Sequence, residues 1–498
     1  MTQDNAVPQT LPHIRDPQNQ TLALLRLALP MIGMMVSRLL MTFIDFAMVS
    51  VLGTEAQAAI SPATVFVFVV GCLGMGVAHA VQTFVSQAAG RGEPQQAGGY
   101  AWQSFYIAGV IGLLAFPLAA TTETWFGWIA ALGEHTPQVA AMEVQYVEIG
   151  LWSVAPSIVC IGLNGFFNGV QRPRIALIAV LASLVVNVVG NWLLIYGNLG
   201  FPRMEIAGAA VATVIAWCVR AGVLTGAMLL PNFDRRYHTR RSFAFDWGKM
   251  AGLLRVGAPT AIQWVIDMGS WMVFMVLIMP PLGTAALAAT NVGLQYMHLS
   301  FMPAIGLGIA LCSKVGFAIG QGKPENAVQQ ARIAMRLTGA YMGVVGLSFL
   351  LLRRPLMWLF NADPAVIEAG SWVLIWAAIF QVFDAMSITY MNALRGAGDT
   401  RWPAVAISTS SWGIFIGGGY AMSRMLPQWG LNGPWLMCAL YIILLGLLLR
   451  WRWQRGAWRN IRLFDDRKGD TPPVVAGCGE PADTPRAAAP ASTTVPAE

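Results

Sequence analysis

Long apolar runs separated by short polar connectors recur along the whole chain. They fall at about 22–52, 58–86, 98–120, 138–163, 174–197, 206–230, 250–280, 285–318, 332–352, 367–393, 404–424 and 432–451. A helix needs about 20 apolar residues to cross a hydrocarbon core. The pattern therefore predicts an all-α, polytopic membrane protein with twelve transmembrane helices. Composition agrees, since 56% of the 498 residues are hydrophobic, only 11% are charged and the mean hydropathy is +0.58. Soluble proteins are about a quarter charged, so a water-soluble reading is excluded.

An even number of spans puts both chain ends on one side. That side carries Arg91, Arg172, Arg174, the cluster Arg235, Arg236, Arg240, Arg241 and Lys249, then Lys314, Lys323, Arg332, Arg395, Arg401, Arg450, Arg452, Arg455 and Arg459. The other side has Arg203, Arg353, Arg354 and Arg424. The positive-inside rule then predicts cytoplasmic termini. It also accounts for the net charge of +7 without a nucleic-acid partner. Arg353 and Arg354 depart from the pattern, as a basic pair anchored at an interface would. Residues 1–20 are polar and lack the marks of a cleaved signal peptide, so they read as a cytoplasmic segment. Residues 453–498 read as basic and then, from about 464, as a disordered Pro/Ala/Thr/Ser tail. Five cysteines lie in apolar runs and the sixth in the tail, a packing pattern rather than a disulfide framework.

The chain repeats itself. Leu25-Arg-Leu-Ala-Leu-Pro30 returns as Leu254-Arg-Val-Gly-Ala-Pro259, Leu52-Gly-Thr54 as Leu282-Gly-Thr284, and Gly90-Arg-Gly-Glu-Pro94 as Gly320-Gln-Gly-Lys-Pro324. The offset stays near 230 residues across helices and loops alike. This predicts two six-helix lobes, 21–230 and 250–452, joined by a basic connector at 231–249. Each copy has an even number of spans, so the two share one orientation and are related by a pseudo-two-fold axis along the membrane normal. A cleft between such lobes is the geometry of alternating access.

Phe43-Ile-Asp45 after a proline-bearing first helix, Ser86-Gln-Ala-Ala-Gly-Arg-Gly92, Gly208-Ala-Ala-Val-Ala-Thr213, Pro259 with Asp267, and Leu394-Arg-Gly-Ala-Gly-Asp-Thr-Arg401 together resemble the MATE (multidrug and toxic compound extrusion) transporters, most of all the NorM-type branch. The resemblance covers about residues 21–452. It implies export of small cationic, amphipathic compounds in exchange for sodium ions or protons, with no other cofactor. It also implies a bacterial inner-membrane location, contact with lipids and a monomeric unit.

A charge at the bilayer centre costs at least about 2.5–3.5 kcal/mol on insertion scales, so each intramembrane ionisable residue is a site candidate. Asp384 has Gln381, Ser387 and Asn392 at helical spacing, and Asp267 has Gln263 and Ser270; both sets suit a proton or a hard cation such as sodium. Resemblance adds Asp45, with Asn187, Asn191 and Thr213 as its hydrogen-bonding neighbours and Asn191 standing where some branches have a second aspartate. Arg38 lies seven residues before Asp45, about 10 Å along one helix face. It is the repeat counterpart of Asp267 and reads as a counter-ion or a permanent structural partner of nearby carboxylates. Gln295, with Asn291 and His298 on one face, and Trp264 and Phe380 complete the predicted substrate contacts. No nucleotide loop, metal cluster or nucleophile triad is legible. The rival readings are a lipid or lipid-linked oligosaccharide flippase of the same architecture, expected to carry a strongly basic cavity, and a channel or receptor.

Overall fold

The computed structural model describes residues 17–126 and 136–464. The loop part at 127–135 and both chain ends, including the predicted cytoplasmic segment and tail, lie largely outside the described residues. The first six helices are α1 Pro17–Ser50, α2 Thr54–Gly90, α3 Gln96–Ala120, α4 Pro137–Gly169 with a 3-10 turn at Leu151–Ser153, α5 Pro173–Leu194 and α6 Glu205–Met228. The second six are α7 Trp247–Val273 with a π-helical continuation at Phe274–Ile278, α8 Thr284–Gly320, α9 Pro324–Leu351, α10 Pro364–Ala397, α11 from Arg401 to Met425, and α12 Asn432–Gln454. Among the described residues, eleven helices are long and apolar enough to span a membrane. The twelfth, α11, is π-helical over Ser411–Gly418.

The repeat survives at backbone level. Gly53 and Gly283 begin the second helix of each lobe with φ of 118° and 101°, and Gly92 and Gly322 end the following turn with φ of 80° and 69°. Side-chain-bearing residues avoid those angles, which explains why these four glycines recur. The seam obeys the same symmetry: α1 packs on α8, and its counterpart α7 packs on α2.

Contact across the seam is concentrated at the end where α1 begins and α2 and α8 finish. There Gln82 donates to the Ile309 carbonyl and to Ser313 Oγ, both at 2.8 Å. Thr83 donates to the Arg395 carbonyl at 2.9 Å and Gln87 to the Gly396 carbonyl at 3.0 Å. Glycines let the backbones touch, since a Cβ on Gly90 would overlap the Phe317 carbonyl oxygen and one on Gly320 that of Gln87. All cross-lobe hydrogen bonds among the described residues lie on this half. Farther out, Gln295 is in line with Gly306, which meets Ile32 of α1, yet Gln295 itself is exposed. The cleft is therefore shut at the end bearing the chain termini and open at the other.

Two features refine the sequence reading. Arg353–Phe360 is a short helix whose Arg354 pairs with Glu368 at 3.3 Å while Trp358, Leu359 and Phe360 are exposed, an amphipathic element suited to a membrane surface. The basic stretch after α12 packs instead of trailing: Trp458 is buried and stacks on Trp453 with ring centroids 4.3 Å apart. Close by, Arg452 Nε meets the buried Asp399 at 2.8 Å. Removing one partner of such a pair strands the other charge, so Arg452→Gln is expected to destabilise the protein by about 2 kcal/mol, read as a lower melting temperature in detergent.

Candidate functional site

The C-lobe site is built on the inward stripe of each helix. On α7 the buried Val256, Thr260 and Gln263 lead to Asp267 and Ser270, and on α10 the buried Ala377, Phe380 and Gln381 lead to Asp384. Both carboxylates are half-buried and lie within electrostatic reach of each other. Tyr441 of α12 donates a long hydrogen bond, 3.5 Å, to Asp267 Oδ1. Its ring is held in place by stacking on Phe415 in the π segment of α11, at 5.7 Å. Asp384 has no hydrogen bond and no ion pair among the described residues. An unpaired carboxylate on an inward face can take up a proton or a cation from the cleft.

The residues expected around Asp384 have other partners. Gln381 donates to Ser300 Oγ at 2.9 Å and to Met342 Sδ at 3.7 Å, tying α10 to α8 and α9. Ser387 donates to the Phe383 carbonyl, and Asn392 donates to Ile388 O and accepts from Arg395 Nη2 at 2.6 Å. Phe380 is buried at 2% exposure, which leaves little of its ring for a ligand in this conformation. Gln263 is also buried and reaches Met391 Sδ at 3.7 Å. Trp264 stands edge-on to His79 of α2, centroids 5.0 Å apart, and so spans the seam. Gln295, Asn291 and His298 are exposed on α8, with His298 Nδ1 2.9 Å from the Leu294 carbonyl. Helical spacing put the oxygen ligands on one face, but Gln381 is taken up by two neighbouring helices while Ser387 and Asn392 bond back to groups of α10 itself.

In the N-lobe one of the three expected neighbours, Asn191, bonds to Asp45, whereas Thr213 donates to the Ala209 carbonyl of its own helix at 2.9 Å. Asn191 Nδ2 donates to Asp45 Oδ1 at 2.5 Å, and Asn187 is buried beside them. Both Asn187 amide atoms and Asn191 Oδ1 are buried without a hydrogen-bond partner. Thr213 of α6 and Thr64 of α2 approach Tyr146 of α4, which also lies near Asp45. This polar pocket has spare capacity for an ion or water. Asn191→Ala removes the donor to Asp45, and the expected result is folded protein whose gradient-driven transport falls about tenfold, measured in proteoliposomes. Arg38 is not brought into an ion pair with Asp45; it faces Cys72 of α2 instead, because two helical turns exceed the reach of a salt bridge. Among the described residues no group of three or more metal-binding side chains occurs.

Sequence reasoning missed Tyr441, Tyr146, His79 and Arg220. The tyrosines carry no signal in an apolar run, where a phenol at the membrane interface looks the same. His79 and Arg220 did carry one, as ionisable residues in the middle of spanning helices.

An acid pair in one lobe and a single aspartate in the other, within twelve helices arranged as two packed repeats, fit a two-lobe membrane transporter. The MatE family model matches residues 30–193 and 259–420, one copy per lobe at an offset that reproduces the internal repeat. The chain belongs to the MatE family. It is 30% identical over 453 residues to a probable multidrug resistance protein NorM of Rhizobium meliloti (strain 1021), covering 87% of this chain and 93% of the relative. A probable multidrug resistance protein NorM of Idiomarina loihiensis is 24% identical, covering 83% and 89%. In fold, the chain is similar to the eukaryotic MATE transporter AtDTX14, with a TM-score of 0.78, 20% identity and coverage of 89% and 97%. It is equally similar to the Vibrio cholerae MATE transporter VcmN in the bent form, with a TM-score of 0.78, 17% identity and coverage of 88% and 97%.

Proposed function

We propose that this protein is a secondary antiporter that exports cationic amphipathic compounds across a bacterial inner membrane in exchange for sodium ions or protons, with both termini cytoplasmic. The observation that carries this reading is the unpaired Asp384 beside Asp267 on the inner face of a cleft open at one end. The family membership and the multidrug-resistance relatives support export as the direction of transport. With cytoplasmic termini, the conformation is outward-facing. An ion or proton arriving at the acid pair removes the negative charge that attracts the cationic compound, and the compound leaves. Return to the inward-facing state delivers the ion to the cytoplasm. Ion and substrate need only compete for one charge-limited site for their fluxes to be coupled. A flippase needs a phosphate-holding centre, and the C-lobe acid pair favours a cation there.

The test is efflux of a cationic dye from proteoliposomes under a sodium or a proton gradient imposed singly. Export driven by either one identifies the coupling ion, and no export under both overturns the reading.

A further inference from the structure

The N-lobe holds a second ionisable cluster, of the opposite sign, that the exchange cycle leaves unused. Arg38 continues the inward stripe of α1 through the buried Leu24, Met31 and Met34. Arg220 does the same on α6, one turn beyond the buried Ala216 and one before the buried Leu224. The two guanidinium groups lie within electrostatic reach of each other, and Arg38 also reaches His79 and Cys72 on α2. Arg220 is pinned over the Trp217 ring at 5.2 Å, and its Nε is buried without an acceptor. Neither arginine forms an ion pair among the described residues, and the aspartate on the same face as Arg38 is already engaged by Asn191. Two like charges and an unmade buried hydrogen bond inside a helical bundle are unfavourable unless a counter-charge enters. A planar guanidinium fork matches a carboxylate or phosphate better than a spherical anion.

Access favours a transported ligand over a lipid headgroup. Arg38 is exposed on the same stripe as the buried Leu24, Met31 and Met34, so a ligand lying between the lobes can meet it. It is also 12 residues from the nearer end of α1, about 18 Å of helix, well below headgroup level.

We propose that Arg38 and Arg220 form an oxyanion site for the carboxylate of amphoteric substrates, whose cationic group is drawn to Asp267 and Asp384 in the other lobe. This inference rests on the exporter reading for its ligand class and adds a second recognition element of its own. The protein thereby favours zwitterionic amphiphiles over pure cations of the same shape.

The probe is rhodamine B, which carries a free carboxylate and a delocalised cation, set against its ethyl ester, which keeps the cation and lacks the carboxylate. Full-length protein in phosphatidylcholine nanodiscs is titrated with each dye by fluorescence anisotropy. The parent protein is expected to bind the acid more tightly than the ester. Arg220→Gln should weaken acid binding about tenfold and leave ester binding within about twofold, while Arg220→Lys keeps much of the acid affinity. Arg38→Gln should weaken the acid similarly, and melting curves and size-exclusion profiles establish that each variant is folded. Equal loss of both dyes in folded variants, no loss of the acid, or equal affinity of the parent for both overturns the proposal. Displacement of the acid by phosphatidylglycerol added to the nanodisc also overturns it, because the oxyanion would then be a lipid headgroup. Gradient-driven export of the ester tests the exporter reading separately, so failure of one is distinguishable from failure of the other.

Discussion

Asp384→Asn is expected to reach the membrane folded and to transport nothing, with gradient-driven efflux lowered by on the order of a hundredfold or more. The amide keeps the size and hydrogen-bonding capacity of the acid but can neither ionise nor bind a proton or cation as a carboxylate does. No hydrogen bond or ion pair to Asp384 is lost among the described residues, so stability should hold or rise as a charge leaves the membrane interior. Asp267→Asn is expected to be milder, because the Tyr441 hydroxyl can still hold the amide oxygen in position. The measurement is efflux from proteoliposomes at matched protein content, with melting temperature as the folding control. Retained ion-driven transport by Asp384→Asn would remove that residue from the coupling mechanism.

A second large effect is expected at the closed end of the cleft. Gly320 packs its Cα against the backbone of Gln87, and a valine there would place a side chain where the carbonyl oxygen sits. The lobes can relieve that overlap only by separating at the same end, which disfavours the observed state relative to its alternative. Gly320→Val should therefore lower transport at least about tenfold while leaving each lobe intact. Accessibility gives the direct readout. A cysteine introduced by Ser313→Cys, at a fully buried position, should be inert to a membrane-impermeant maleimide in a cysteine-free parent and react in the Gly320→Val background. Unchanged labelling together with normal transport would mean that this glycine crossing does not hold the lobes closed.

Much of the architecture was legible because lipid imposes a simple rule: spans must be long and apolar, and a repeat must keep its register through the turns that connect them. Gly53 with Gly283 and Gly92 with Gly322 show this best, since the backbone angles that require glycine also mark the boundaries of the repeat. The acidic residues were legible for the same reason, as charges that lipid would not tolerate. Their surroundings were not. Gln381 has the right spacing to join Asp384 but is satisfied by Ser300 and Met342 on two other helices, and no local pattern encodes such a choice. Tyr441 was hidden for the converse reason, as its role depends on α11 bulging at Ser411–Gly418 to bring Phe415 beneath its ring. Arg38 illustrates a third limit: its face and its distance from Asp45 could be read, but not that Cys72 and His79 of α2 would be its neighbours.

The segment between the lobes is drawn tight. Trp102 donates to the Thr239 carbonyl and Tyr106 to that of Phe243, both at 2.6 Å, and Phe245 rests edge-on against Tyr106. Asp246 then caps α7 by accepting from the Lys249 amide, and the Lys249 ammonium lies 5.9 Å from the Tyr100 ring of α3. The beginning of α7 is thus fastened to the first lobe, while Asp267 belongs to the second. If the halves rock against each other, the tether gives little slack and the easiest place to bend is α7 at Pro259, where the ladder of backbone hydrogen bonds is interrupted. Asp267 lies two turns past that weak point, so bending there would be felt first at this carboxylate.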